Sequence, residues 1–105
     1  METILVQGAM TSEIELIIKL LAENNKIDIT EHSGYSFYET YLNGTKIIVS
    51  KTEMGVMNAC ISTMIAIEEY NPSIVINQGT AGAHLRELNV GDIIIGEEAV
   101  YINNT

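Results

Sequence analysis

The sequence predicts an α/β fold of the three-layer type, in which a mixed β-sheet is flanked by helices. Two apolar runs, at residues 4–6 and 74–76, have the short, β-branched character of buried strands. Two segments between these runs carry apolar residues at helical spacing. Strands and helices that alternate along a chain in this way usually pack as layers around a largely buried sheet.

The first strand is expected to end at Gly8 and to lead into a helix. Thr11 or Ser12 can cap this helix, and Ser12 with Glu15 three residues later has the pattern of a capping box. The helix is then expected to end near residues 24–25. Its apolar face comprises Ile14, Ile17, Ile18 and Leu21.

A hairpin and a second helix are expected in the middle of the chain. Asn43 and Gly44 lie between two strand-like runs, and this pair readily takes the positive φ angles of a tight hairpin turn. The second helix should begin after Gly55 and end before Pro72, which cannot extend it. Its apolar side is predicted to comprise Met57, Ile61, Met64 and Ile65.

The last third of the chain predicts two more strands. One covers residues 73–77 and opens into the glycine-containing loop 79–82, and the other covers residues 93–95 after Gly91. No closing helix follows the last apolar region. We therefore expect this sheet to be covered by further sequence or by a partner.

The composition restricts the partners of the protein. The 105 residues are 47% hydrophobic and 18% charged, which is typical of a globular domain. The net charge of −9 disfavours nucleic acids and anionic membranes, which would repel this surface, although acidic charge also serves solubility. No apolar run approaches the roughly 20 residues that span a bilayer.

Cysteine content and the first residues indicate a cytoplasmic protein. The chain has one cysteine, Cys60, so it has no internal disulfide framework. The neighbours of Cys60 are apolar, and we expect a packed core thiol. The segment that starts at Met1 lacks the basic region of a signal peptide.

Three loops bring polar groups to strand ends, where open α/β sheets usually bind ligands. In the first, Glu13 follows Gly8; it either faces a ligand or only favours the helix dipole, which is worth roughly 0.3–1 kcal/mol. The loop 79–82 is neither a dinucleotide fingerprint nor a Walker A loop, and it is either a simple turn or a surface for a sugar. In the loop 52–55, Met54 either lines a pocket or fills core space.

The two histidines, His32 and His84, lie in segments predicted as loops and share no metal-ligand spacing with a cysteine or a carboxylate. We expect both to be solvated. The sequence therefore predicts neither a metal site nor a cofactor, and it contains no Ser/His/Asp arrangement that supports a catalytic triad.

Five segments in this order resemble the nucleoside phosphorylase and nucleosidase superfamily, and within it the 5′-methylthioadenosine/S-adenosylhomocysteine nucleosidase branch. Each match is weak alone, but together they run from residue 4 to about residue 101. They are Gly-Ala-Met at 8–10 followed by Glu13, Leu-Asn-Gly-Thr at 42–45, Met-Gly at 54–55, Ile-Asn-Gln-Gly-Thr-Ala-Gly at 76–82, and Leu-Asn-Val-Gly-Asp-Ile at 88–93.

The resemblance implies a catalytic role for Glu13, which would position and activate the attacking water. A carboxylate suits this task because it can accept a proton as water attacks an oxocarbenium-like C1′. The resemblance also implies a small-molecule nucleoside as substrate. The implied contacts are Ala9 and Met10 along the ribose and base, Met54 at the 5′-alkylthio group, and Thr80, Ala81 and Gly82 on the ribose side.

Hydrolysis is favoured over phosphorolysis because the arginines that hold phosphate in phosphorolytic relatives are missing from the first loop and from the position before Gly79. The single arginine, Arg86, follows the loop and is expected to be solvated. A purine nucleoside phosphorylase and a non-catalytic, nucleoside-binding α/β module remain alternatives.

Residues 1–105 resemble only the N-terminal portion of a single domain of this family, incomplete on its C-terminal side. The purine-binding segment, a ribose-binding glutamate and the aspartate acid of the family lie in a later half. We therefore expect this chain alone to be inactive. The family also forms homo-oligomers, and a homodimer is expected here.

Overall fold

The computed structural model describes residues 2–100, which form one five-stranded sheet and two helices. The sheet order is β2-β3-β4-β1-β5. The elements in chain order are β1 (Thr3–Gly8), α1 (Thr11–Ala22), β2 (Asp28–His32), β3 (Tyr35–Leu42), β4 (Thr45–Lys51), α2 (Val56–Tyr70) and β5 (Ile74–Asn77).

The sheet is mixed, which confirms the predicted α/β class. The strand β1 runs parallel to β4 and β5, whereas β2, β3 and β4 are antiparallel neighbours. The carboxyl ends of β1, β4 and β5 therefore meet at one edge, and this edge holds all three loops singled out in the sequence.

The helices cover opposite faces of the sheet. Leu5, Phe37 and Ile48 are fully buried on one face and pack with Ala66 of α2. On the other face, α1 lies against β1, β3 and β4 and buries Ile14. The predicted apolar face of α1 is confirmed, since its other members are half-buried.

Two hairpins connect the antiparallel strands, and both have positive φ at two central residues. The predicted turn is confirmed, with φ of 50° at Asn43 and 81° at Gly44. A second turn at Ser33 (53°) and Gly34 (87°) joins β2 to β3 and was not predicted. The polar strand β2 lacks the apolar alternation that reveals a strand in a sequence.

The predicted apolar side of α2 is only partly buried: Ile65 packs against the core, but its other three members are exposed. Ser62 and Ala66 face the sheet, whereas Met57 is 76% exposed and Met64 58% exposed. Small side chains let α2 approach the bulky apolar residues of the sheet closely. The expectation of a packed thiol at Cys60 is wrong for the same reason, since this residue is exposed.

The predicted strand at 93–95 is also wrong within the described residues. Ile93 and Ile95 are more than 90% exposed, and no strand pairs with this segment. A strand requires a hydrogen-bonding neighbour, and residues 2–100 supply none at this position. Neither helix among these residues has the length and apolar character needed to cross a membrane.

A polar network ties the end of α2 to the sheet. Glu39 accepts hydrogen bonds from the Thr30 and Tyr70 hydroxyls at 3.0 Å each, and Lys46 Nζ lies 3.3 Å from its other oxygen. Burial raises the pKa of Glu39, but the hydrogen bonds and the lysine outweigh it, and the pKa falls below its ordinary value. Burial and the neighbouring carboxylate raise the pKa of Tyr70.

His32 belongs to this network, so its assignment as a solvated loop residue is wrong. It ends β2, is half-buried, and its Nε2 lies 3.2 Å from the Tyr70 hydroxyl. Its ring also packs against Phe37 at a centroid distance of 5.5 Å. His84 is exposed, as expected.

Candidate functional site

Glu13 reaches back from the first turn of α1 to the loop that precedes the helix. Met10 is the N-cap, with extended φ and ψ of −127° and 156°. Glu13 Oε1 accepts the backbone N–H of Ala9 at 2.9 Å and that of Met10 at 3.0 Å. The amide of the N-cap and that of the residue before it are thereby satisfied, and one carboxylate oxygen is fixed.

The predicted capping box of Ser12 and Glu15 is therefore wrong. The helix begins at Thr11, which places Glu13 rather than Glu15 at the third helical position. The carboxylate that reaches back to the cap is the one at that position. Glu13 thus serves helix capping as well as the site.

The loop after β5 contacts the same carboxylate from the other side. Thr80 donates its backbone N–H to Glu13 Oε2 at 3.2 Å. Gln78 donates from its side-chain Nε2 to the backbone carbonyl oxygen of Glu13, and its own backbone N–H donates to the Gln7 carbonyl at 2.9 Å. Two loops separated by 67 residues in sequence therefore meet at Glu13.

Two glycines make this close approach possible. A Cβ atom added to Gly79 would lie 2.6 Å from Glu13 Oε2, and one added to Gly8 would lie 2.9 Å from Ile14 Cγ2. Both distances are shorter than real side chains tolerate. Larger residues at either position would push the loop away from α1.

The Met54 loop lies on the neighbouring strand end, where the Thr52 N–H donates to the Gly8 carbonyl at 2.9 Å. Positive φ angles at Glu53 (68°) and Gly55 (97°) turn the chain on either side of Met54. Asn58 Nδ2 holds the Met54 carbonyl at 2.8 Å. The Met54 side chain is 68% exposed and does not fill core space.

The predicted site residues differ in whether they form hydrogen bonds with Glu13. Ala9, Met10 and Thr80 bond directly to Glu13 through their backbone N–H groups. The other three predicted residues are exposed. Met54 lies on its own loop, and Ala81 and Gly82 follow Thr80.

Gln78 and Lys51 belong to this edge but were not predicted as site residues. Lys51 is the register partner of Gly8, and its ammonium lies 3.3 Å from the Glu53 carboxylate. This ion pair partly compensates the positive charge of Lys51. Gln78 lies within the matched segment 76–82, but its contact with Glu13 and the strand register of Lys51 depend on distant residues.

The arrangement leaves Glu13 able to accept one more hydrogen bond. A carboxylate offers about four acceptor positions, and the backbone N–H groups occupy two on Oε1 and one on Oε2. A water molecule or a ligand hydroxyl can use the position that remains on Oε2. Residues 2–100 contain no cluster of side chains suited to a metal ion.

These features define a class of protein: an α/β sheet with a carboxylate held between glycine loops at the carboxyl edge of its parallel strands. A family model, described as the phosphorylase superfamily, matches residues 3–105. The chain belongs to this superfamily.

Its relatives include named enzymes. The chain is 36% identical over 94 residues to the 5′-methylthioadenosine/S-adenosylhomocysteine nucleosidase of Staphylococcus haemolyticus, a match that covers 90% of this chain and 40% of the relative. It is 40% identical over 91 residues to the nucleosidase of the same name from Psychromonas ingrahamii, covering 87% and 38%. The chain thus spans about 40% of the length of these relatives.

Solved structures of nucleosidases with the same name superpose on this chain. The Neisseria meningitidis 5′-methylthioadenosine/S-adenosylhomocysteine nucleosidase, in complex with methylthio-immucillin-A, superposes with a TM-score of 0.78 at 35% identity and covers 88% of this chain and 38% of that one. The Colwellia psychrerythraea nucleosidase, in complex with adenine, gives 0.77 at 30% identity, with 87% and 36% covered. The nucleoside phosphorylase-like fold predicted from the sequence is confirmed.

Proposed function

We propose that the full-length protein hydrolyses the N-glycosidic bond of 5′-methylthioadenosine or S-adenosylhomocysteine and releases adenine. The observation that carries this proposal is the Glu13 carboxylate, held by three backbone N–H groups with an acceptor position left for water. The names of the relatives support the same substrates.

In this proposal Glu13 orients the attacking water and accepts its proton as the C1′–N9 bond breaks. The transition state has oxocarbenium character, so the proton must leave the water as its oxygen bonds to C1′. Ala9 and Met10 lie along the ribose and base, and Thr80, Ala81 and Gly82 contact the ribose. The exposed thioether of Met54 lines the 5′-alkylthio group.

The leaving group requires an acid that we expect outside this chain. An adenine anion leaves poorly unless it is protonated, and the resemblance assigns that proton to an aspartate in the later half of the family's domain. We propose that residues 1–105 form the N-terminal portion of a single domain and supply the water side of the reaction. Purified as 105 residues, the chain should release no measurable adenine.

The central experiment follows adenine release from methylthioadenosine by the full-length protein. Glu13→Gln should abolish most of the activity, because an amide cannot accept the proton. Glu15→Gln is the matched control, since Glu15 is an exposed carboxylate on the same helix. Equal rates for the wild type and Glu13→Gln would refute the role of Glu13.

Phosphorolysis is the nearest alternative, because the superfamily is named for it. The first loop contains no basic residue, and Lys51 beside it is paired with Glu53. A phosphate dianion would be poorly held by such a site. Activity that requires phosphate and yields a ribose 1-phosphate would favour the phosphorylase.

A non-catalytic nucleoside-binding module is the third candidate. Calorimetric binding of an adenosine analogue without turnover by the full-length protein would favour it. We also propose that the full-length protein acts in the cytoplasm as a homodimer. The apolar side chains that α2 exposes, such as Met57 and Met64, support association.

A further inference from the structure

The two oxygens of Glu13 are held in different ways. Oε1 is bound by Ala9 and Met10, four and three residues away, respectively, in the same loop and helix turn. Oε2 is bound by Thr80, which lies 67 residues away. The orientation of the carboxylate plane therefore depends on where the loop after β5 sits relative to α1.

Gln78 attaches that loop to the helix. Its side-chain Nε2 donates to the Glu13 backbone carbonyl, and its backbone N–H donates to the Gln7 carbonyl at 2.9 Å. One residue thus joins the end of β1, the end of β5 and the first turn of α1. The Gln78 side chain is half-buried, so water competes weakly for this hydrogen bond.

Gly79 sets how closely the loop can approach. A Cβ atom at this position would lie 2.6 Å from Glu13 Oε2 and 3.3 Å from Cδ. Any side chain would force the carboxylate or the Thr80 N–H to move. The hydrogen bond from Gln78 and the absence of a side chain at Gly79 together allow the Thr80 N–H to reach Oε2.

We infer that Gln78 and Gly79 are positioning residues that aim the Glu13 carboxylate at the reacting water. The inference rests on the proposed role of Glu13. Gln78 holds the loop so that the Thr80 N–H occupies one acceptor position of Oε2, and the other position is then directed to the water. Misplacement of a reacting group by about 1 Å can lower a rate up to about 100-fold.

The hydrogen bonds are tested in the full-length protein by nitrogen-15 NMR. The amide resonances of Ala9, Met10 and Thr80 are followed from about pH 3 to 7, where carboxylates titrate. All three should respond in the wild type and none in Glu13→Gln. In Gln78→Ala the Thr80 response should fall by about half or more, while those of Ala9 and Met10 persist.

Asn77→Ala is the matched control, because it removes an exposed amide one residue away and should leave all three responses intact. Gly79→Ala provides a second variant that should also lose the Thr80 response. An undiminished Thr80 response in Gln78→Ala, or none in the wild type, would overturn the inference.

Kinetics of the full-length protein separate positioning from a purely structural role. Gln78→Ala should lower kcat about 10-fold with KM changed less than about twofold. In a Glu13→Gln background the same substitution should cost less than about twofold, because Gln78 acts through Glu13. An equal loss in both backgrounds would contradict the inference. If the wild type releases no adenine, the proposed function fails, and the amide titrations still decide the positioning.

Discussion

Glu13 and Glu39 are each held by three groups, but the kinds of donor differ. Glu13 is bound by backbone N–H groups from two loops at the edge of the sheet. Glu39 is bound by side chains, those of Thr30, Lys46 and Tyr70, on the face that α2 covers. The same residue type therefore occupies two very different environments.

The difference in donors explains what each glutamate can do. Backbone donors lie within the loops and leave one of the roughly four acceptor positions of the Glu13 carboxylate unused. Side-chain donors enclose Glu39, whose side chain is only 20% exposed, and they connect β2, β3, β4 and α2. In the proposed function Glu13 is therefore the carboxylate that faces the ligand, whereas Glu39 stabilises the packing of a helix on the sheet.

The largest expected effect separates the two residues by activity. In the full-length protein, Glu13→Gln should lower kcat by about 10²–10⁴-fold, the range typical of a lost general base. Glu39→Gln should leave the kcat of the folded enzyme within about twofold. Steady-state adenine release measures both, and similar losses for the two variants would remove the distinction.

The second expected effect distinguishes Glu13 from Glu39 by the free energy of unfolding. Glu39→Gln removes the partner of a largely buried lysine and should lower the free energy of unfolding by about 2 kcal/mol. Glu13→Gln should cost about 1 kcal/mol or less, because an amide oxygen still accepts the N–H groups that cap α1. Urea denaturation monitored by circular dichroism compares the two variants.

Part of the Glu39 effect should depend on pH. The folded-state pKa of Glu39 lies below its ordinary value of 4.5, so the unfolded chain binds its proton first as the pH falls. The stabilisation by the Glu39 carboxylate is therefore complete when the pH is above the ordinary pKa. It is lost as the pH falls through the folded-state pKa. The stability difference between wild type and Glu39→Gln should narrow over this interval, and a constant difference would contradict the assignment.

A smaller effect is expected from the hydroxyl of Tyr70, which donates to Glu39. Tyr70→Phe keeps the ring against Phe37 but removes this donor. The expected loss of unfolding free energy is about 1 kcal/mol. Tyr41→Phe is the control, since Tyr41 is 53% exposed, and it should change stability little.

The smallest expected effect on stability concerns the strained backbone at Glu53, at the same edge of the sheet as Glu13. Glu53 has a φ of 68°, which a side chain disfavours and glycine accepts. Glu53→Gly should stabilise the chain by on the order of 0.5 kcal/mol, since relief of strain exceeds the loss of an exposed ion pair. Glu53→Gln, which keeps the strain, should show no such gain in thermal unfolding.

Local features of the sequence predicted much of the fold. The apolar spacing of α1, the Asn43–Gly44 turn and the end of α2 before Pro72 all depend on a few adjacent residues. The position of Glu13 in the first turn of a helix follows in the same way, because it comes soon after a strand that ends in glycine. These features are encoded in short segments, so a single sequence is sufficient to find them.

Only the tertiary structure decided which parts meet. Three features depend on residues far apart in the chain. They are the pairing of Gly8 with Lys51, the hydrogen bond from Gln78 to the Glu13 carbonyl, and the orientation of α2. Apolar spacing predicted one side of α2, but close packing on Leu5 selected the side with Ser62 and Ala66. Packing and strand register are non-local, and for this reason the contacts that orient Glu13 arise from the fold rather than from any one motif.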